Sequence, residues 1–222
     1  EHSKGRRANG AFAVASNPEF LREGSAILDS LFPDRVVVGA DEPRTSEVLS
    51  TLYRPILEQT FQAPAYQPRP ERMTAVPLIS TDLASAELIK YAANAFLALK
   101  ISYINEIGNV AEKVGADIRQ IARGIGLDGR IGNKFLHPGP GYGGSCFPKD
   151  TPALRKTAQD PGSPTRIFQA GAAFNAPTKQ CLGSKLNTAV RRVKGKNVTV
   201  PCLPFKPHSQ HTPHPPRPVI HP

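Results

Sequence analysis

The sequence predicts an α/β protein organised around one long helix. Three observations predict it. Short apolar or β-branched runs at Phe12–Ser16, Arg35–Gly39 and Val76–Ile79 alternate with a helical pattern at Pro43–Gln59. A proline-free stretch follows from Asp82 to Val114. Beyond it, Gly141 to Asp150 reads Gly-Tyr-Gly-Gly-Ser-Cys-Phe-Pro-Lys-Asp, with one cysteine set among glycines and charges.

Taken in order, Phe12–Ser16 is a short strand that Asn17-Pro18 ends, since proline disfavours helix at the residue before it. Glu19 and Glu23 stand four apart in the next segment. If that turn is helical they share a face. Paired carboxylates divide acid-base work when their surroundings separate them; the alternative is two solvated surface acids. Val36-Val37-Val38 is the β-branched centre of a buried strand. Across Pro43–Gln59, Val48, Leu52, Pro55 and Ile56 are the candidates for one buried face, with Pro55 a source of kinking. These alternations suit the later strands of a nucleotide-binding sheet. No Gly-x-Gly-x-x-Gly follows any of these strands, so the loop that cradles a dinucleotide pyrophosphate is not among them.

Thr81 or Asp82 can cap the long helix and Gly115 can end it. At 1.5 Å per residue it spans about 50 Å. Leu88, Ile89, Phe96, Leu97, Ile104 and Val110 are among the apolar residues that cover most of its circumference. Such a helix is buried on several sides, which suggests that it joins domains and packs on a partner. Lys90 and Asn94 project together from it, one turn apart. By residue type alone they are a snorkelling lysine and a satisfied amide as readily as a catalytic pair. Asp117 can cap a short helix through Ile121, and Gly126–Gly132 is a glycine loop carrying Arg130. Thr151–Gln159 can start another helix with Pro152 in its first turn.

In the decapeptide, glycines admit positive φ and close approach of a substrate. Lys149 is a cation that favours the Cys146 thiolate, and Asp150 is a base or an orienter. A buried, inert cysteine is the competing reading, and residue types alone do not separate the two.

Composition narrows the classes. The chain has 222 residues, 39% hydrophobic and 21% charged, as in an ordinary soluble protein. No apolar run reaches the roughly 18 residues of a membrane helix. The N-terminal Glu1–Arg7 has no apolar stretch behind it, so no secretory signal is read there. Cys146, Cys181 and Cys202 form an odd set without metal-type spacing, which favours a reducing compartment, and the cytoplasm is expected. From 161 to 222 there are nine Lys or Arg and no Asp or Glu, so the tail carries nearly all of the +10 charge. A basic, proline-rich end attracts nucleic acid or acidic membrane, or it is a solvated terminus. No recognition motif accompanies it, and neither nucleic acid nor membrane is expected as a partner. His208, His211 and His214 lie in this tail, and no metal is assigned to them.

The decapeptide, with Asn17–Ala26 and Lys90-Tyr-Ala-Ala-Asn94, resembles the active-site segments of the UDP-glucose 6-dehydrogenases, within the UDP-glucose/GDP-mannose dehydrogenase family. The likeness runs with few breaks from about Phe12 to Asp160. It implies an α/β fold in three parts. Residues 1–80 would end an N-terminal Rossmann-like NAD-binding domain. Residues 81–175 would form a central helical dimerisation and catalytic domain. Residues 176–222 would begin a degraded, poorly ordered C-terminal Rossmann-like UDP-binding domain. The chain then reads as a fragment beginning inside the first domain.

The resemblance also implies roles. Cys146 would be the nucleophile for an aldehyde at the sugar C6. Lys90 and Asn94 would stabilise the oxyanion, Asp150 would assist proton transfer, and Glu19 would position the hydrolytic water. Glu23 would lie near the nicotinamide of NAD. The backbone at Phe20 and Leu21, with Phe135, Leu136 and Gly143, would line the UDP-glucose site, and Arg130 would reach the phosphates in the neighbouring subunit of a homodimer. Lys206, in a Phe-Lys-Pro sequence, would match a substrate-side lysine, although Pro201 and Cys202 break the pattern before it. A GDP-mannose or UDP-aminosugar dehydrogenase is the alternative within the group. A non-catalytic dimerising fragment is the alternative outside it.

Overall fold

The computed structural model describes residues 12–144, 147–159 and 164–190. Cys146, Lys206 with Pro201 and Cys202 before it, and His208, His211 and His214 lie outside these residues. The chain divides into two compact units within its longest helix, between Lys90 and Tyr91.

The first unit is α/β. Strands β1 (Ala15–Ser16), β2 (Val36–Ala40) and β3 (Leu78–Thr81) form one sheet in that order. β1 runs antiparallel to β2, whereas β2 and β3 are parallel, with Val36 opposite Leu78 and Gly39 opposite Thr81. Helices α1 (Ala26–Leu31) and α2 (Pro43–Leu57) flank β2 in sequence. The core is Val36, Val38 and Val76, covered by Leu49, Tyr53 and Leu57 of α2 with Met73 and Leu78. This corrects the expected face of α2: Val48 and Leu52 are 61% and 70% exposed. Both stripes are apolar at four-residue spacing and lie side by side on the helix, so periodicity alone does not say which meets the sheet. Gly39 is required by close approach, because a Cβ there would lie 2.6 Å from the Asp82 carbonyl oxygen.

The long helix α3 spans Leu83–Val114. Its ends follow from local chemistry. The Asp82 carboxylate accepts the Ser85 N–H at 2.8 Å. At the other end Gly115 has φ +73, and the Ala116 N–H reaches back to the Ala111 carbonyl at 2.8 Å, a Schellman closure.

In the second unit, α4 (Ile118–Gly126) is capped by Asp117, which accepts the Arg119 N–H, and it runs past the expected end at Ile121. α5 spans Phe147–Gln159 and α6 spans Arg166–Val190. α5 starts four residues before Thr151, so Pro152 lies inside it rather than in its first turn. α6 likewise contains Pro177 and continues past residue 175. Both prolines, and the residues four before them, Pro148 and Ala173, are exposed, so water can serve the carbonyls left without a donor. The side of α3 that meets α6 is made of small residues. Ala95, Ala98 and Ser102 are buried, and the Ser102 hydroxyl donates to the Gly171 carbonyl at 3.0 Å. Leu99 Cδ1 would lie only 3.3 Å from a Cβ on Gly171.

Candidate functional site

In the first unit, Asn17 to Ser25 is an irregular segment tied down at several points. The Asn17 amide donates to the Val37 carbonyl at 2.7 Å and accepts from the Tyr53 hydroxyl at 2.5 Å. Arg22 and Ser25 both bond the buried carboxylate of Asp29. Burial pushes that carboxyl up, but the Arg22 and Ser25 hydrogen bonds outweigh it and hold Asp29 below its ordinary value. Gly24 has φ +86, and helix begins only at Ala26. Glu19 and Glu23 therefore do not share a helical face, which corrects that expectation. The Glu19 carboxylate instead accepts its own Leu21 N–H at 2.7 Å, closing a tight turn where a helix would need to propagate.

This turn presents Glu19 to Lys90. The ammonium bonds the Glu19 carbonyl and pairs with its carboxylate at 3.0 Å. The lysine side chain is only 17% exposed, so the partner matters: a half-sequestered ammonium without one is costly. Phe20 lies beside the pair, with the Lys90 ammonium 5.4 Å and the Arg35 guanidinium 3.8 Å from its ring centre. Leu21 is 42% exposed, and Glu23 is half-buried.

In the second unit, the Asn94 amide donates to the Asp150 carboxylate at 2.6 Å. Asp150 is 4% exposed, and its other oxygen lies 3.6 Å from the exposed Lys149 ammonium. Tyr142, Gly143 and Gly144 are buried. Gly141 and Gly144 have φ +95 and +83, which the sequence anticipates by placing glycine there. The Asn175 side chain pairs with both backbone groups of Tyr142, accepting its N–H at 2.7 Å and donating to its carbonyl at 3.2 Å. Burial pushes the Tyr142 hydroxyl up from its ordinary value. The ring of Phe147 meets Phe135 and Tyr142 edge to face, with centres 6.2 and 5.9 Å apart. Phe135 itself takes φ +65, and Leu136 is buried beside it in sequence. A cavity of about 170 Å³ is bordered by Tyr142, Phe147, Thr151, Arg155, Phe168 and Asn175.

Arg130 has a 90% exposed side chain paired with Asp128 at 2.6 Å in its own loop. Glu19 with Lys90, and Asn94 with Asp150, are thus brought together as pairs. Arg35, Tyr142 and Asn175 are neighbours of these groups that sequence reading did not select. For Asn175 the usable signal is a polar residue directly after the mostly apolar Ala170–Phe174 run of a helix; for Arg35 there is none. Among the described residues no group of His, Cys, Asp and Glu could hold a metal, and no helix is long and apolar enough to cross a membrane.

Two family models match the chain. Residues 84–177 match the central domain of the UDP-glucose/GDP-mannose dehydrogenase family, and residues 1–57 match its NAD binding domain. The UDP-glucose 6-dehydrogenase of Rhizobium meliloti (strain 1021) is 50% identical over 198 residues, 88% of this chain and 42% of the relative. UDP-glucose 6-dehydrogenase TuaD of Bacillus subtilis (strain 168) is 46% identical over 206 residues, 93% of this chain and 40% of the relative. Among solved structures, a UDP-glucose dehydrogenase from the archaeon Pyrobaculum islandicum aligns with a TM-score of 0.75 and 36% identity, over 88% of this chain and 41% of that one. The chain thus spans well under half the length of these relatives.

Proposed function

The chain belongs to the UDP-glucose/GDP-mannose dehydrogenase family, and from that premise we propose that its residues serve the NAD-dependent oxidation of UDP-glucose to UDP-glucuronate. The observation that carries the reading is the buried Asp150 carboxylate held by Asn94, four residues after Cys146 in sequence. Fixed donors and a sequestered carboxylate are what an oxyanion and its proton require.

NAD, when bound, would supply the hydride acceptor that each of the two oxidations needs. The described residues do not form its pyrophosphate cradle. The helix after β2 opens on Asp41-Glu42-Pro43, two acids and a residue with no N–H. The helix after β3 has its first turn taken by the Asp82 carboxylate.

Lys90 and Asn94 stabilise negative charge on the C6 oxygen as the alcohol becomes an aldehyde. The Cys146 thiolate adds to that aldehyde, forming a C–S bond, and the carbonyl oxygen takes a proton to give a thiohemiacetal. Its oxidation leaves a thioester. Water positioned by Glu19 attacks the thioester carbonyl, the C–S bond breaks, and UDP-glucuronate leaves with the thiol restored. Asp150 assists the proton transfers with Lys90. Glu23 faces the nicotinamide end. Phe20, Leu21, Phe135, Leu136, Gly143 and Lys206 contact the substrate, and Arg130 contacts its phosphates from a second copy. The 90% exposure of the Arg130 side chain supports this reach, which requires it to leave its pairing with Asp128.

A homodimer through α3 is part of this reading. Phe96, Tyr103, Val110 and Val114 are 60%, 51%, 53% and 72% exposed and repeat at seven, seven and four residues. They form an exposed apolar seam distinct from the small-residue side that meets α6.

The test is NADH formation with UDP-glucose by protein expressed from the reading frame that contains these residues. Two NADH per UDP-glucose is the expected yield; one, or preference for GDP-mannose, contradicts the reading. The 222-residue chain alone is expected to give no turnover, and measurable NADH from it would contradict the assignment of the pyrophosphate site to other residues.

A further inference from the structure

We propose that Asn175 is a positioning residue for the glycine loop that leads to Cys146, a role that rests on the dehydrogenase reading of that cysteine. The loop from Gly141 to Gly144 has neither helix nor strand to satisfy its backbone. Its glycines at φ +95 and +83 have no Cβ to restrict them, so their own backbone preferences do not fix the loop. Yet Tyr142 is 6% exposed, so its N–H and carbonyl need protein partners. One side chain supplies both. Asn175 accepts from the Tyr142 N–H at 2.7 Å and donates to the Tyr142 carbonyl at 3.2 Å, as a neighbouring strand would.

The fit is reciprocal. Asn175 is itself 6% exposed, and a Cβ on Gly141 would overlap its Oδ1. Glycine at 141 is therefore what lets the amide reach Tyr142, beyond its freedom of φ. Asparagine is also the side chain that suits this place: aspartate offers no donor, and glutamine is a methylene too long. The amide is held firmly, because Gly171, one turn earlier on α6, accepts the Ser102 hydroxyl of α3 at 3.0 Å. After the cysteine, the Asp150 carboxylate accepts the Asn94 amide of α3 at 2.6 Å. The peptide Gly141–Asp150 is thus pinned by one asparagine before Cys146 and by another after it. Asn94 belongs to the chemistry already assigned; Asn175 acts only through the loop backbone.

The test uses the full chain, with two readouts that need no cofactor. Amide exchange is followed at Tyr142, Gly143 and Gly144 and on α3. Iodoacetamide alkylation is followed by peptide mass at Cys146 and, as an internal control, at Cys181. Asn175→Ala is expected to speed exchange at Tyr142 by about tenfold or more. It should change the Cys146 alkylation rate by about threefold or more, as its surroundings alter, while Cys181 and the α3 amides keep wild-type rates. Gly141→Ala, which displaces the amide from the other side, should reproduce both changes, and the double variant should show less than their product. Loosening of α3 and Cys181 together with the loop would make Asn175 a general fold residue and overturn the proposal. So would a deprotected Tyr142 amide with an unchanged Cys146 rate. Failure of the dehydrogenase reading is separate: it would appear as a Cys146→Ser enzyme that still makes acid, whatever the Tyr142 amide does.

Discussion

Asn94 donates its amide to the buried carboxylate of Asp150 at 2.6 Å, joining α3 to the first turn of α5. The ammonium of Lys149 is 3.6 Å from that carboxylate on a side chain that is 76% exposed, so the Asn94 amide is the principal partner. Asn94→Ala should cost about 1.5–3 kcal/mol in urea unfolding, the range for a hydrogen bond to a charged group. Asn94→Asp should cost more, since it sets a second carboxylate against the first. A loss below about 0.5 kcal/mol for the alanine variant would show that water or Lys149 replaces the bond.

The cap of α3 carries a pH signature. The Ser85 hydroxyl and N–H hold the Asp82 carboxyl down at about 2, against 3.8 without them. A carboxylate depressed on folding contributes stability that is present above 3.8 and lost as pH falls through about 2. The protection of the Ser85 amide, its slowing of exchange relative to an unstructured peptide at the same pH, should therefore hold at pH 4 to 5 and fall as the pH is lowered through that window. Asp82→Asn, which still caps but does not titrate there, should remove the pH dependence. An unchanged profile in Asp82→Asn would assign the effect to other carboxylates.

The seam on α3 predicts self-association. Sedimentation equilibrium at micromolar concentration should give a dimer, and Phe96→Asp with Tyr103→Asp should give a monomer with its helix content intact. A wild-type monomer under those conditions would remove the interface, and with it the proposed reach of Arg130 into a second copy.

What could be read from the sequence was mostly local. Asp82, Gly115 and Asp117 mark helix ends because capping is decided within three or four residues, and all three act as anticipated. The buried face of α2 is not legible, because Val48–Leu52 and Leu49–Tyr53 are both apolar pairs at four-residue spacing and only the sheet chooses between them. The helix expected to align Glu19 with Glu23 is pre-empted by the Glu19 carboxylate bonding Leu21 and by the anchoring of Asn17 on β2, contacts that spacing does not reveal. Asn175 joins Tyr142 across 33 positions of sequence, and nothing near either residue announces the other. The chemistry around Cys146 leaves a nucleophile and an inert thiol equally open, and only the family resemblance of Gly141–Asp150 separates them; the bonds that hold Tyr142 just before it are not written in that stretch.

The central claim is that Cys146 captures the C6 aldehyde. The most direct measurement is the product of UDP-glucose and NAD with the Cys146→Ser enzyme, expressed from the reading frame that contains these residues. UDP-glucuronate formation by Cys146→Ser should fall by orders of magnitude, while Asn175→Ala should slow it without abolishing it. UDP-glucuronate formed by Cys146→Ser at the wild-type rate would contradict capture by Cys146.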